Sequence, residues 1–364
     1  MLKPTYLIPE LPPAIELETK PVLKALAKAN RALSELKGLA ATLPNQGILI
    51  DTLALQEAKA SSEIENIVTT QDELFQADLQ IDGPNSPAAK EVALYRDALK
   101  LGFDHLRQSD GLITNRTLIA MFQLLKGHAG GFRDTPGTAL RNDATGEIVY
   151  VPPQDARDIA THMASLESFI NLDHDPEIDP LIKMALIHHQ FESIHPFPDG
   201  NGRIGRILNV LYLTRSGLLD IPILYLSRHI TRTKADYHRL LQAVRSDGAW
   251  EDWTLYMLDA VAETATTTLE LLEGIRTQMA SVKSRMRTEL PHLYSQDLLN
   301  NLFRHPYTRI EFVINDIKVS RQTAAKYLDQ LADAGFVSKH RAGRSNYYVN
   351  ADLVRLFLEV SGGK

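Results

Sequence analysis

HQFESIHPFPDGNGRIGRILNVLYL, residues 189–213, is the stretch on which the reading of this chain turns. An apolar helical pattern over 179–194 stops at His195-Pro196, because proline disfavours the α region for the residue before it. A tight loop follows, Phe197-Pro198-Asp199-Gly200-Asn201-Gly202, and a new helix opens at Arg203 and runs to 217. Glycines on either side of Asn201 admit backbone angles that turn several N–H groups inward as an anion nest. The helix start adds its positive dipole end and unpaired N–H groups. Arg203 and Arg206, three apart, share one face of the first turn and suit forked contacts with phosphate oxygens. Asp199, just ahead of the nest, is placed to hold Mg²⁺ against two phosphates. His195, across the loop, can serve as a base, with an ordinary pKa of about 6.5. The set reads as a polyphosphate site with a metal ligand and a general base. It is not a P-loop, since no GxxxxGK[ST] occurs.

Composition narrows the chemistry further. The chain has 364 residues and no cysteine, which excludes disulfides, thiol nucleophiles and thiolate-built metal sites. His, carboxylate, hydroxyl, amine or a bound cation must therefore carry any catalysis. With 39 Lys+Arg against 45 Asp+Glu the formal charge is −6, too acidic for a chain that coats nucleic acid over its whole surface. The start, MLKPTYLIPELPP, has prolines at 4, 9, 12 and 13 and no apolar core of a signal peptide. No apolar run approaches about 18 residues, so no membrane span is expected and the cytoplasm is the expected compartment.

Most of the chain reads as helix. Helical spacing runs over 19–40, over about 50–67 and over 88–108, with a short helix at Gln71–Leu79 and a turn at Gly83–Pro87. The pattern breaks at 129–153, where Gly, Pro and Asp-Ala-Thr-Gly turn signals meet a β-prone IVYV run. That predicts a β-hairpin with strands near 137–141 and 147–151. Helices resume over 154–171, 179–194, 203–217 and 231–246, and a long one runs from Trp250 to about 288. Pro291 marks a boundary. Beyond it three helical segments precede two strands around Arg-Ala-Gly-Arg-Ser, the order of a winged helix-turn-helix. The expected fold is mainly α, divided into a helical region over 1–110, a core over 111–288 carrying the hairpin at 137–151, and a winged-helix domain over 289–364.

HPFPDGNGRIGR resembles the Fic family signature HxFx(D/E)GNGRxxR, and His195, Phe197, Asp199, Gly200, Asn201, Gly202, Arg203 and Arg206 fill its fixed positions. The resemblance extends through GFRDTPG at 131–137, YVPP at 150–153 and RSGLLDIP at 215–222. It implies a Fic-type helical core and transfer of AMP from ATP to a Ser, Thr or Tyr hydroxyl of a target protein, or of the enzyme itself, with pyrophosphate leaving. In that reading His195 deprotonates the hydroxyl and Asp199 holds Mg²⁺ on the α- and β-phosphates. Gly200 to Arg206, including Ile204 and Gly205, form the phosphate site, with Arg203 on the α/β- and Arg206 on the γ-phosphate. Phe197 becomes a core anchor, the hairpin becomes a flap that docks an extended target segment along Thr138, Ala139 and Leu140, and Tyr237 falls near the adenine pocket.

Residues 61–66, Ser-Ser-Glu-Ile-Glu-Asn, resemble the inhibitory motif (S/T)xxxE(G/N) of many Fic proteins, with Ser61, Glu65 and Asn66 at its fixed positions. The resemblance implies that Glu65 pairs with Arg206 and takes the guanidinium fork that the γ-phosphate needs. In the C-terminal unit, Arg321 and Lys326 on the third helix and Arg341 and Arg344 on the ribbon are candidate phosphate contacts to DNA. The alternative use of that domain is homodimer contact or target docking. Besides AMP transfer, three other functions stay open: removal of AMP, transfer of another phosphate-containing group, and a nucleotide-sensing DNA-binding regulator.

Overall fold

In the computed structural model of the chain, residues 4–70, 73–75, 86–142, 145–172, 178–342 and 345–361 are described. The chain forms two compact units. One draws on the chain up to Ser34, on Ala60–Asn66 and on Leu94–Ala265; the other on Glu35–Lys59, Ile67–Ala93 and the chain from Thr266 onward. Both are mostly helical.

The first unit is built around two helices. Helix α6 (Pro180–Ile194) is buried from Leu181 to Ile194, and α7 (Asn201–Arg215) is buried over most of its length. Helices buried on every side have to be central, and these two bury polar side chains such as His188, Glu192, Arg203 and Arg206 along with their apolar ones. Asp179 starts α6 by accepting the Leu181 N–H at 2.8 Å, with Pro180 in the first turn, where its missing donor costs nothing. The Trp253 indole, wholly buried, donates to the Ala185 carbonyl at 2.8 Å and fixes the long helix α10 (Trp250–Glu289) against α6. Around the pair lie α4 (Asn115–Lys126), α5 (Ala156–Asn171), α8 (Ser227–Arg232) and α9 (Lys234–Asp247).

The hairpin forms as expected but shorter. Strand β1 (Leu140–Arg141) pairs antiparallel with β2 (Ile148–Tyr150), Leu140 opposite Tyr150 and Arg141 opposite Ile148, with an irregularity between the two rungs. Helices α1 (Lys20–Ala41), α2 (Gly47–Ile64) and α3 (Pro87–Gln108) match the expected segments to within a few residues. Residues 73–75 are helical, while the rest of the helix expected over Gln71–Leu79 and the turn expected at 83–87 fall largely outside the described residues.

Three differences from the sequence reading have physical reasons. Helix α4 was not foreseen, although Thr114 caps it through the Thr117 N–H and Gly127 ends it in the left-handed region. The segment read as one helix over 231–246 is two, α8 and α9. Thr233 separates them, its hydroxyl spent on the His229 carbonyl and the Tyr256 hydroxyl. Helix α7 begins at Asn201 rather than Arg203, because Gly200 adopts φ 78°, ψ 14° at its N-cap.

In the second unit, α11 (Gln296–Arg304), α12 (Ile310–Ile317) and α13 (Arg321–Asp333) precede strands β4 (Ser338–Ala342) and β5 (Ser345–Val349). Strand β3 (Tyr307–Thr308) completes an antiparallel sheet of order β3-β5-β4, in which Tyr307 faces Val349 and His340 faces Tyr347. Two residues are too few to show alternation in sequence, so β3 was invisible there. Helix α14 (Ala351–Ser361) follows, with Leu353 and Phe357 buried. Phe75 stacks on Tyr307 with ring centroids 4.9 Å apart, and Arg304 pairs with Asp51 at 2.6 Å.

Candidate active site

The loop between α6 and α7 is fixed from both ends. His195 closes α6 in the left-handed conformation, φ 50° and ψ 58°, its N–H donating to the Phe191 carbonyl at 2.9 Å. Such a conformation is unusual for a residue with a Cβ and gathers at functional positions. Phe197 is fully buried and stacks on Phe122 at 4.4 Å, as an anchor should. The Asn201 side chain accepts the Phe197 N–H and donates to the Phe197 carbonyl, both at 2.8 Å, closing the loop like a staple. Its amide is thereby spent on the loop, so Asn201 offers its backbone N–H to the nest rather than its side chain. Among the described residues no side chain caps the start of α7, which leaves first-turn N–H groups without a capping partner there.

Arg206 is 2% exposed and held by three bonds. Its Nε donates to the Ser61 hydroxyl at 2.8 Å, and one terminal nitrogen donates to the Ser61 carbonyl and to Glu65 Oε1, each at 2.9 Å. Glu65 stands just past the end of α2, and the turn is completed by Asn66 at φ 62°, whose amide oxygen accepts from Lys234 Nζ at 3.2 Å. Burial works against the Glu65 charge, yet Arg206, with help from Arg203, holds its carboxyl below the usual range. The carboxylate also lies over the nest. A Cβ on Gly202 would meet Glu65 Oε1 at 2.6 Å and Arg206 Nη1 at 2.9 Å, so the glycine leaves room for a group at that point.

Asp199 is two-thirds exposed. One oxygen accepts the Gly200 N–H at 2.6 Å, and the other accepts from Lys126 Nζ at 2.5 Å, with Arg203 at 3.8 Å. Partial burial opposes its charge, but Lys126 and Arg203 keep the carboxyl below its ordinary value. An exposed carboxylate beside an anion nest is the donor set Mg²⁺ accepts when phosphate oxygens supply most other ligands, so the residues fit that ion. Burial, with Arg133 and Arg245 nearby, lowers the His195 pKa to about 4, and Nδ1 has no hydrogen-bond partner among the described residues. The imidazole is therefore neutral near pH 7 and able to accept a proton. Elsewhere, His229, Asp259 and Glu263 gather within 4.8 Å, but Lys28 and Arg232 pair with the two carboxylates and Glu263 also bonds His229.

Other expected positions lie further out. Ile204 is fully buried, and Gly205 faces Glu192, Phe191 and His188, so these two pack the first turns of α7 against α6. Tyr237 is 2% exposed and bonds His188 at 2.9 Å inside an aromatic cluster with Trp253 and Tyr256. Thr138, Ala139 and Leu140 are half-buried along the hairpin, and Ile148 and Val149 opposite are exposed. In the second unit Arg321 is exposed and paired with Glu311 at 2.7 Å, Lys326 and Arg341 are exposed, and Arg344 lies outside the described residues. Sequence reading missed Lys126, Arg133 and Glu192. Burial pushes the Glu192 carboxyl up to about 7 against the pull of Arg206.

Comparison with known proteins places the chain's domains in one family. Residues 23–104 match the Fic/DOC family N-terminal domain, residues 112–213 the Fic/DOC family itself, and residues 278–353 the C-terminal domain of SoFic-like protein adenylyltransferases. The protein adenylyltransferase Fic of Nematostella vectensis is 31% identical over 171 residues, which is 46% of this chain and 37% of that protein. A probable protein adenylyltransferase of Aquifex aeolicus is 43% identical over 60 residues, 16% of this chain and 19% of that one. The matches thus span well under half the length of these relatives. A Fic family protein from Desulfovibrio desulfuricans G20 shares the fold over 96% of this chain and 98% of its own, with TM-score 0.57 at 18% identity. By these matches the chain carries the N-terminal and central domains of the Fic/DOC family, followed by a C-terminal domain of the SoFic-like adenylyltransferase kind.

Proposed function

We propose that this chain is a self-inhibited protein adenylyltransferase, which moves AMP from ATP to a Ser, Thr or Tyr hydroxyl of a protein, itself included. The observation that carries the reading is a neutral His195 closing α6, with an uncapped start of α7 and Arg206 one turn into it across a short loop. His195 takes the hydroxyl proton as the oxygen attacks the α-phosphorus; the bond to the β-phosphate oxygen breaks and pyrophosphate leaves. The amides of Asn201 to Arg203 and the Arg203 guanidinium hold the phosphates in line, so that positioning and charge stabilisation supply most of the rate. Asp199 would hold Mg²⁺, which neutralises charge on the leaving pyrophosphate when bound. Glu65 on Arg206 keeps the γ-phosphate from its fork and holds the basal rate down. An extended target segment pairs with the hairpin at 138–140, and adenine lies towards Tyr237.

The test is incubation with Mg²⁺ and ATP labelled at the α or the γ position, using wild type, Glu65→Gly and His195→Ala. Label on protein from the α position alone is the expected outcome, absent in His195→Ala. Label from neither position with any variant overturns the reading.

The second unit is read as a winged helix on the strength of its element order and the sheet order β3-β5-β4. Its basic residues are partly neutralised internally, Arg321 by Glu311 and Lys339 by Asp329. Target docking or self-association fits such a surface better than a strong grip on DNA. Binding to random duplex that weakens steeply with salt would reverse that order.

A further inference from the structure

Four successive backbone carbonyls at the end of α6 accept hydrogen bonds from outside the helix, and one residue supplies three of the donors. The Ser193 carbonyl takes the Tyr150 hydroxyl at 2.6 Å. The Ile194 carbonyl takes a terminal Arg133 nitrogen at 3.3 Å, the His195 carbonyl takes Arg133 Nε at 2.8 Å, and the Pro196 carbonyl takes the Arg133 backbone N–H at 2.8 Å. The same terminal nitrogen reaches the Pro153 carbonyl, just past the hairpin strand β2. Arg133 is only 4% exposed, and among the described residues no carboxylate pairs with it and Nη1 finds no partner. A buried guanidinium without a counter-ion is expensive to keep, and one hydrophobic side chain could have filled the space.

We propose that Arg133 is the positioning residue for His195: its guanidinium fixes the left-handed turn that carries the imidazole and ties that turn to the foot of the flap hairpin. The helix end presents orphan carbonyls and negative dipole, and a planar fork of donors is the side chain best shaped to meet several at once. Without it, a non-glycine residue in the left-handed region has a nearby, more ordinary conformation to relax into. The link to Pro153 makes base and flap one rigid piece, so the nucleophile docked on the flap and the group that deprotonates it keep their separation.

The cation acts on the ring as well as on the backbone. The charged groups facing His195 are Arg133 from the segment before the hairpin, Arg245 from α9 and Glu65 after α2, with the Glu192 carbonyl on its own helix. Burial and the two arginines favour the neutral ring; Glu65 and the carbonyl oppose them.

The catalytic part of this role rests on the transferase reading; the clamp and its effect on the ring do not. The test is a pH titration of histidine Cε1 resonances in the full chain, with His195 assigned by its loss in His195→Ala. Arg133→Gln is expected to move the His195 titration to higher pH, whereas Arg133→Lys keeps the charge and leaves it near its wild-type position. In Arg133→Lys the resonance itself shifts or broadens, because a single Nζ cannot stand where both Nε and the terminal nitrogen of Arg133 stand. On a Glu65→Gly background both variants should lose about tenfold or more in AMP incorporation, with ATP affinity unchanged. A His195 titration in Arg133→Gln that overlays wild type, or an unmoved His195 resonance in Arg133→Lys, overturns the proposal. Should Arg133→Gln fail to fold, the Arg133→Lys resonance decides alone. Should Glu65→Gly itself take up no AMP, the transferase reading fails while the resonances still judge the clamp.

Discussion

Replacing Glu65 by glycine tests the regulatory geometry most directly. The carboxylate forms one charge-assisted bond to Arg206 at 2.9 Å, with a side chain 38% exposed against 2% for the guanidinium. A hydrogen bond to a charged group contributes about 1.5–3 kcal/mol net. With more than a third of the carboxylate in water, screening brings the pair to about 1–2 kcal/mol. Removing it shifts the competition for Arg206 in favour of a γ-phosphate by about 5–30-fold. A second contribution is steric. Glu65 Oε1 lies 2.6 Å from where a Cβ on Gly202 would be, over the amides that the proposed reading gives to phosphate. Clearing that point removes a repulsion between carboxylate and triphosphate as well, so AMP incorporation should rise by about tenfold to a hundredfold.

The assay is initial rate of α-label incorporation with Mg²⁺, alongside ATP affinity by calorimetry. Glu65→Gln refines it, keeping most of the bulk and removing the charge. An intermediate rate in that variant separates electrostatic competition from occlusion. A Glu65→Gly variant that binds ATP, stays folded and still transfers no faster than wild type would refute this, because Arg206 would then be unconnected to productive binding.

Further predictions follow from neighbouring contacts. Ser61→Ala removes the hydroxyl that accepts from Arg206 Nε but leaves the Ser61 carbonyl and Glu65, so its activation should be smaller than that of Glu65→Gly, about two- to fivefold in the same incorporation assay. Gly202→Ala places a methyl group within 2.9 Å of Arg206 Nη1; on a Glu65→Gly background it should weaken ATP binding measurably by calorimetry, despite the cleared carboxylate. Lys126→Ala frees the Asp199 oxygen it now holds, so the Mg²⁺ concentration for half-maximal incorporation should fall. Glu192→Gln addresses stability. A carboxyl with folded-state pKa about 7 binds more protons folded than unfolded above about pH 4.5, so wild-type stability declines as pH rises through 7. The variant should lack that decline and exceed wild type by about 1–2 kcal/mol at pH 8 in urea titrations, a gap that closes towards pH 5.

The geometry of the loop between α6 and α7 was legible in the sequence because everything in it is local. His195 to Arg206 is one helix end, one turn and one helix start, and the positions that need glycine or a staple are fixed by backbone geometry within a dozen residues. The contact between Glu65 and Arg206 spans 141 residues, and composition has no means of expressing it. It was reachable only through resemblance to a known motif. Lys126 is the last residue of a helix that was not read from the sequence, 73 residues before its partner Asp199. Arg133 and Glu192 were illegible for a different reason. A buried charge reads in sequence like any surface charge, and only its neighbours reveal that Arg133 answers three carbonyls and that Glu192 is pushed towards neutrality.

The two charged ends of the site are each satisfied from within the chain, and the sign of the partner is informative. Lys126 gives Asp199 a cation at 2.5 Å, and Glu65 gives Arg206 an anion at 2.9 Å. On the proposed reading these occupy the places of a magnesium ion and a γ-phosphate. Binding Mg-ATP is then an exchange of partners rather than the filling of unsatisfied charges. The affinity gained at either end is the difference between two ion pairs, and each pair has one partner in contact with water, which keeps that difference small. A protein arranged in this way can hold its charged groups in place between turnovers without binding nucleotide tightly. It can also be switched by moving either internal partner. Glu65 is the more effective of the two, because it meets a guanidinium 2% exposed, where loss of a counter-ion is costly and a replacing phosphate is correspondingly favoured. Asp199 is two-thirds in water and can trade partners at little cost. Control should therefore reside at the α2 end of the site, with metal exchange following it rather than gating it.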